Sequence, residues 1–297
     1  MTAARIGAGH IYYRSLLILL VLIWAISWPV IKVGVTAVPP LWFGFLRYVI
    51  AACSLFALVA MRRELAVPPL SDLPLVVVSG ALQLGAYSAL TGLALTILPP
   101  GRASVLAFST PIWVVPLAAW WLHERISRRA LLGATMGLLG VLAIAAPSLH
   151  VDGNDQILAY AMLMAAAAAW AISIVFVRWH RFSATALALA PWQMLVAAVL
   201  LLPLAIAVEG PLLPVGVRGV AALACVGPVA TAFAYWAVVE AGRRFPASTM
   251  SMALLATPSL GILISARTLG ETIGVSLVAG VVLIGVGIRL ATANGRV

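Results

Sequence analysis

Apolar runs long enough to cross a bilayer follow one another down this chain, and that succession decides what the polypeptide can fold into. They fall near 15–35, 41–61, 73–96, 102–121, 130–146, 157–177, 184–207, 218–239, 247–266 and 273–292, separated by proline pairs, charged clusters or short polar turns. A helix needs about 20 apolar residues to cross the hydrocarbon core. No water reaches unpaired N–H and C=O groups there, so each span must satisfy its own backbone as a helix. A β-barrel would show alternating segments of about 10 residues, whereas these runs are apolar on every face. Composition agrees: 64% of the 297 residues are hydrophobic and 9% charged, with a mean hydropathy of +1.14, against about 25% charged in a soluble domain. The sequence predicts an all-α polytopic membrane protein with ten transmembrane helices in the lipid bilayer. The first run follows Arg5, Tyr12 and Arg14; Trp24 and Trp28 suit a cleaved leader poorly, so a retained first helix is expected.

Ten spans put both termini on one side. Of the 18 basic residues, Lys32, Arg47, Arg102, Arg218 and Arg267 fall to the far side and the other 13 to the side of the termini. Basic residues collect in cytoplasmic loops, so both termini are expected in the cytoplasm, with the chain in the inner (cytoplasmic) membrane. The net charge of +10 is thereby accounted for without a nucleic-acid partner.

The chain also repeats itself. Trp24-Ala25-Ile26-Ser27 returns as Trp170-Ala171-Ile172-Ser173, an offset of 146, at which Lys32 falls on Arg178 and Arg47 on Gln193. Further on the offset becomes 147: Pro99 matches Pro246, Ser104 Ser251, Thr110-Pro111 Thr257-Pro258, Glu124 Glu271, Gly133 Gly280 and Gly140 Gly287. Each unit holds five spans, so the second copy enters the membrane from the opposite face. This is the inverted-repeat plan of secondary transporters, in which one motif builds both gates around a midplane site. The expected units are 1–147 and 148–297, joined through the polar loop from Pro147 to Gln156.

Several residues stand out against this background. Trp24, Trp28, Tyr87, Trp113, Trp170, Tyr235 and Trp236 lie well inside spans, where aromatics either pack helices or stack on a flat or cationic substrate. Tyr12, Tyr13, Trp42, Trp120, Trp121 and Trp179 sit at span ends, where interfacial anchoring is the expected role. Gln83 and Ser173 are mid-span hydrogen-bonding groups. Thr110-Pro111 and Thr257-Pro258 each remove a backbone hydrogen bond inside a helix and are expected hinges of the gates. Lys32 and Arg47 are charges within spans, either functional or, for Lys32, snorkelling to the interface. Glu124 and Glu271 close spans four and nine, where a helix-end role is expected. Gly133-Ala134-Thr135-Met136-Gly137 in span five fits close helix packing, within the fold of a monomer rather than between the protomers of a dimer.

The segment from Ser104 to Pro111, continuing to Leu122-His123-Glu124-Arg125 and Gly133, resembles the signature of the drug/metabolite transporter superfamily, EamA-type, as do Ser251, Thr257-Pro258, Gly270-Glu271 and Gly280. The resemblance spans essentially the whole chain. It implies a central cavity lined chiefly by spans 1, 3, 4, 6, 8 and 9, and transport of metabolites, as in the amino-acid exporters of that family. Sugar-phosphate carriers need several basic groups around a dianion; only Lys32 and Arg47 qualify here.

The expected substrate-binding set is therefore Trp24, Trp28, Lys32, Gln83, Tyr87, Trp113, Trp170, Ser173 and Tyr235. The expected activity is export of small neutral or zwitterionic metabolites, amino acids foremost, aromatic ones among them, by alternating access. No carboxylate lies mid-span to relay protons or sodium, so facilitated diffusion or exchange is expected. The alternative within transport is a broad drug or toxin exporter. A membrane-embedded enzyme is disfavoured: Cys53 and Cys225 have no metal-ligand spacing, and His123-Glu124 is not followed by a second histidine at the zinc-site spacing. No cofactor is expected.

Overall fold

The computed structural model describes residues 3–123, 128–146, 154–242, 245, 250, 254 and 256–292, and every regular element among them is helical. In chain order these are α1 (Ala3–Ala37), α2 (Pro40–Met61), α3 (Leu73–Ile97), α4 (Pro100–Trp121), α5 (Arg128–Ala145), α6 (Asn154–Trp179), α7 (Ala186–Glu209), α8 (Val217–Ala241), α9 (Ala256–Leu269) and α10 (Val275–Thr292). Seven of them (α1 from Tyr12, α2, α3, α4, α6, α7 and α8) are long and apolar enough to cross a membrane. The apolar stretches of α5 and α10, Leu131–Ile144 and Val275–Leu290, are shorter. The chain is thus an all-helical polytopic membrane protein.

Local chemistry sets the ends of these helices. Pro40 and Pro100 stand in the first turns of α2 and α4, where the missing N–H is no loss. Thr185 caps α7 by accepting the Ala188 N–H at 3.2 Å. Gly210 after α7 and Gly270 after α9 have positive φ, 74° and 69°, the left-handed step that commonly closes a helix. Counting back 147 residues from each reaches Arg63 and His123, the non-glycine residues that share this backbone, at 59° and 57°. Left-handed backbone costs a side chain roughly 1–2 kcal/mol, so the turn geometry is held even where the glycine is absent.

The same spacing governs two widened turns. α3 and α8 each change from α- to π-helical winding for eight residues, Ser79–Ala86 and Val226–Phe233, which are 147 residues apart at both ends. Wider winding leaves carbonyls that other helices can reach. Tyr48 Oη donates to Leu84 O at 3.1 Å and Trp24 Nε1 to Ala230 O at 3.2 Å, while within α8 Thr231 Oγ1 donates to Val226 O at 2.8 Å. Close approach makes the matching pair Gly80 and Gly227. A Cβ on Gly80 would stand 2.6 Å from Gln193 O, and one on Gly227 would stand 2.7 Å from the Ile50 side chain and 3.5 Å from Arg47 O.

α2 packs along α7, and α5 along α10. In the second pair Gly140 meets the carbonyl of Gly280, and Gly287 meets that of Gly133. The glycines of α5 therefore join helices within one chain. α4 is interrupted at Phe108 and Ser109, directly before Thr110-Pro111. Pro111 has no N–H for Ala107 O, and the Thr110 hydroxyl takes that place at 3.1 Å.

Candidate functional site

A cleft of about 290 Å³ opens at the end of the bundle where α2 and α6 finish and α3 and α7 begin. Leu75, Ile174, Val177, Phe182, Ala186 and Leu189 form its walls, Arg178 its rim, and Ser79, Gln83, Gln193 and Tyr235 its polar lining. α3, α6, α7 and α8 carry these residues, except Phe182 in the link between α6 and α7. The lining is held in two hydrogen-bonded groups: Ser173 Oγ donates to Gln83 Oε1 at 3.2 Å and approaches Ser79 Oγ at 3.3 Å, while Tyr235 Oη donates to Gln193 Oε1 at 3.0 Å. Ser173, Ser79 and Gln193 are buried. None of the five is charged, so the lining offers donors and acceptors to a solute without the desolvation cost of a fixed ion.

The other end of the bundle is tied across by three sets of hydrogen bonds. Lys32 Nζ donates to the carbonyls of Leu95, Thr96 and Leu98 at the close of α3, where a cation meets the negative end of the helix dipole. Glu209, at the end of α7, accepts the N–H groups of Leu41 (2.9 Å) and Trp42 (3.0 Å) at the start of α2. Glu271, just after α9, accepts those of Gly101 (2.8 Å) and Arg102 (3.1 Å) at the start of α4. Burial pushes the Glu271 carboxyl up from the usual glutamate range, against the pull of those two N–H groups and the Arg102 charge.

On the cleft side Asp72 does the corresponding work. It lies fully buried before α3 and accepts from Ala184 N (2.8 Å), Ser183 N (3.1 Å) and Ser183 Oγ (3.2 Å) ahead of α7. The Ala184 N–H, with those of Ser183 and the neighbouring hydroxyls, holds its carboxyl below the usual aspartate range against the effect of burial. Each of these three carboxylates crosses from one half of the chain to the other.

Of the residues singled out in the sequence, Gln83 and Tyr235 line the cleft, and Ser173 lies buried behind Gln83. Tyr87 and Trp170 pack edge to face, their ring centroids 4.6 Å apart, with Tyr87 four residues beyond Gln83 on α3. Arg47 Nε donates to Thr231 Oγ1 at 2.7 Å, across α2 and α8. The others stand apart from the cleft. The Trp24 indole is committed to Ala230 O, Trp28 is buried against Phe108, Trp113 is half-buried on α4, and the Lys32 ammonium is committed to the end of α3. Thr257 and Pro258 are buried at the start of α9, and among the described residues the Thr257 hydroxyl has no partner. Glu124 lies outside the described residues.

Two expectations change. α7 joins the cleft lining, whereas α1, α4 and α9, implied by the resemblance, contribute nothing to it; α1 packs on α9, and α4 on α9 and α6. Trp42 is no interfacial anchor: it is 7% exposed and its Nε1 donates to Gly210 O at 3.0 Å. Trp120, 74% exposed, does match that role. Sequence reading missed Asp72, Ser79, Glu209 and the lining role of Gln193. The repeat itself held a signal for the last, since Gln193 occupies the position of Arg47.

Comparison with known proteins agrees with this architecture. The model of the EamA-like transporter family matches the chain twice, over residues 13–146 and 157–293. The chain is 27% identical to an uncharacterized transporter, YoaV, of Bacillus subtilis, over 91% of this chain and 93% of that one. It is 26% identical to a probable amino-acid metabolite efflux pump of Salmonella typhimurium, with 95% of each covered. A probable terminal-alkyne amino-acid exporter of Streptantibioticus cattleyicolor is 28% identical, with 90% and 91% covered. One crystal structure superposes with a TM-score of 0.65 at 24% identity, covering 96% of this chain and 98% of that one, which places the fold.

Proposed function

Because the chain belongs to the EamA-like transporter family, we propose that it exports small neutral or zwitterionic metabolites, amino acids foremost. The observation that carries this reading is the cleft: open between α3, α6, α7 and α8, lined inside its Arg178 rim by uncharged hydrogen-bonding groups, with the far end tied across by the Lys32, Glu209 and Glu271 contacts. Its volume of about 290 Å³ lies just below the range of ligand pockets, about 300 to 1,000 Å³. That suits a solute of amino-acid size.

The basic side of the chain is the side of the cleft, with Arg62, Arg63, Arg178 and Arg181 at the neighbouring helix ends. By the positive-inside bias that side is cytoplasmic, so the cleft takes up solute from within the cell. The two units, 1–147 and 148–297, run in opposite senses through the membrane, and exchange of the open end between them delivers the solute outside. No carboxylate among the described residues lies mid-span, so transport follows the solute's own gradient. Two of the relatives are named as a probable amino-acid metabolite efflux pump and a probable terminal-alkyne amino-acid exporter, which supports the substrate class.

Counterflow in proteoliposomes tests the proposal: labelled amino acids should exchange, and sugars and sugar phosphates should not. Joint Gln83→Ala and Ser173→Ala replacement should raise the half-saturating concentration by about tenfold, the worth of one lost hydrogen bond to a buried polar group. Exchange of another solute class with amino acids excluded would overturn it.

A further inference from the structure

Arg47 is a cation inside a membrane helix with its best edge unused. Its Nε is fixed by Thr231 Oγ1 at 2.7 Å. The Thr231 proton is already given to Val226 O at 2.8 Å, so the hydroxyl oxygen must accept, and the plane of the guanidinium is set. Its Cζ lies 5.2 Å from the centroid of the Tyr48 ring. Among the described residues no group accepts from the Nη N–H donors, and no carboxylate pairs with them. Glu209 and Glu271 are committed to helix starts at one end of the bundle and Asp72 at the other.

Position gives this edge a meaning. Tyr87, whose phenol lies within electrostatic reach of the guanidinium, follows Gln83 by four residues on α3. Thr231 precedes Tyr235 by four residues on the antiparallel α8. The Arg47 group therefore sits about one helical turn, roughly 5 Å, past the polar lining of the cleft and away from its mouth. Arg47 does not itself line the cleft; it stands beyond the inner end, on the side that the leading group of an advancing solute would reach. An unpaired charge at this depth is costly, and a planar fork with two parallel N–H groups matches a carboxylate in bidentate geometry.

We infer that Arg47 is the receptor for a carboxylate on the transported solute, entering carboxylate first, with Thr231 positioning the guanidinium. This rests on the transport reading above and narrows its substrate class to solutes bearing a carboxylate. The repeat makes the subsite one-sided: Gln193 stands at the matching position without charge, so the solute is oriented. A sugar or a simple amine leaves the guanidinium unpaired.

The test uses the purified full-length protein in nanodiscs and matched acid and amide probes: phenylalanine with phenylalaninamide, leucine with leucinamide, and 3-phenylpropanoate with its amide. Binding is followed by tryptophan fluorescence. At least one acid should bind about tenfold or more tightly than its amide, the scale of one charge-assisted pair. Arg47→Gln should bring that ratio to near one, and Arg47→Lys should keep part of it. If Arg47→Gln fails to fold, Thr231→Val decides, because an unanchored guanidinium should discriminate several-fold less well. Equal binding of acid and amide, no binding of any acid, or a preference that survives Arg47→Gln overturns the inference. Discrimination with 3-phenylpropanoate alone would keep the subsite and defeat the amino-acid reading. Amino-acid exchange without acid preference would do the reverse.

Discussion

The carboxylate of Glu271 rests on the backbone of Gly101: Oε2 accepts its N–H at 2.8 Å and would stand 2.5 Å from a Cβ at that position. The residue after α9 thus fixes the start of α4, and the absence of a side chain at residue 101 is what allows the carboxylate to close in. Gly101→Ala should push the carboxylate away and loosen that end. In a background lacking Cys53 and Cys225, Leu98→Cys reports on it, since Leu98 is only 2% exposed. Its labelling by an impermeant maleimide should quicken several-fold with Gly101→Ala. Unchanged labelling would show that the contact does not hold the end shut.

Asp72 makes stability depend on acid. Its carboxyl is held below the ordinary range in the folded protein, so the contribution is present above the unfolded aspartate pKa and is lost as pH falls through the lower, folded one. Asp72→Asn should melt at a lower temperature than the parent at pH 7 in detergent, and the gap should close below the ordinary aspartate range. A gap independent of pH would mean that shape rather than charge is responsible.

Lys32 is tied to the end of α3, so its loss should act on motion and not on solute affinity. Lys32→Ala should change the maximal exchange rate while leaving the half-saturating concentration within about twofold, the pattern expected when no bound contact is removed. A large rise in half-saturation would place the ammonium on the solute instead.

Thr110 and Thr257 occupy matching positions but different circumstances. The Thr110 hydroxyl replaces the amide that Pro111 lacks, whereas the buried Thr257 hydroxyl has no partner among the described residues. Thr110→Val should destabilise by about 1 kcal/mol, the net worth of one hydrogen bond, and Thr257→Val should be neutral or stabilising. Equal losses in thermal melts would contradict the difference.

The two prolines can be tested as hinges. Replacing Pro111 and Pro258 together by alanine restores an N–H to each helix and should slow exchange by about tenfold, with folding intact, if bending there limits the cycle. An unchanged rate dismisses that role.

Much of this architecture was legible in the residues. Hydrophobic length located the helices, and identities at 146 and 147 residues exposed the repeat, because lipid and duplication both act on the linear order. The π-helical turns left no comparable mark: a ladder one residue wider is chosen by what packs against it, here Gln193 and Val196 on Gly80 and Ile50 on Gly227. Acidic residues were the harder case. Asp72 stands directly before α3, yet its oxygens serve Ser183 and Ala184 ahead of α7, more than 100 residues away. Glu271 was expected at a helix end, and it is at one, but the N–H groups it receives belong to another helix. Partner choice over such distances is set by folding, and no spacing encodes it.

The paired widened turns bear on the origin of the repeat. Ser79–Ala86 and Val226–Phe233 have the same length and the same register in the two family-matched segments. Separate insertions would have no reason to agree to the residue. One broadened helix inherited by both units would give that agreement, and the side chains around it differ between the units, arginine in one and glutamine in the other.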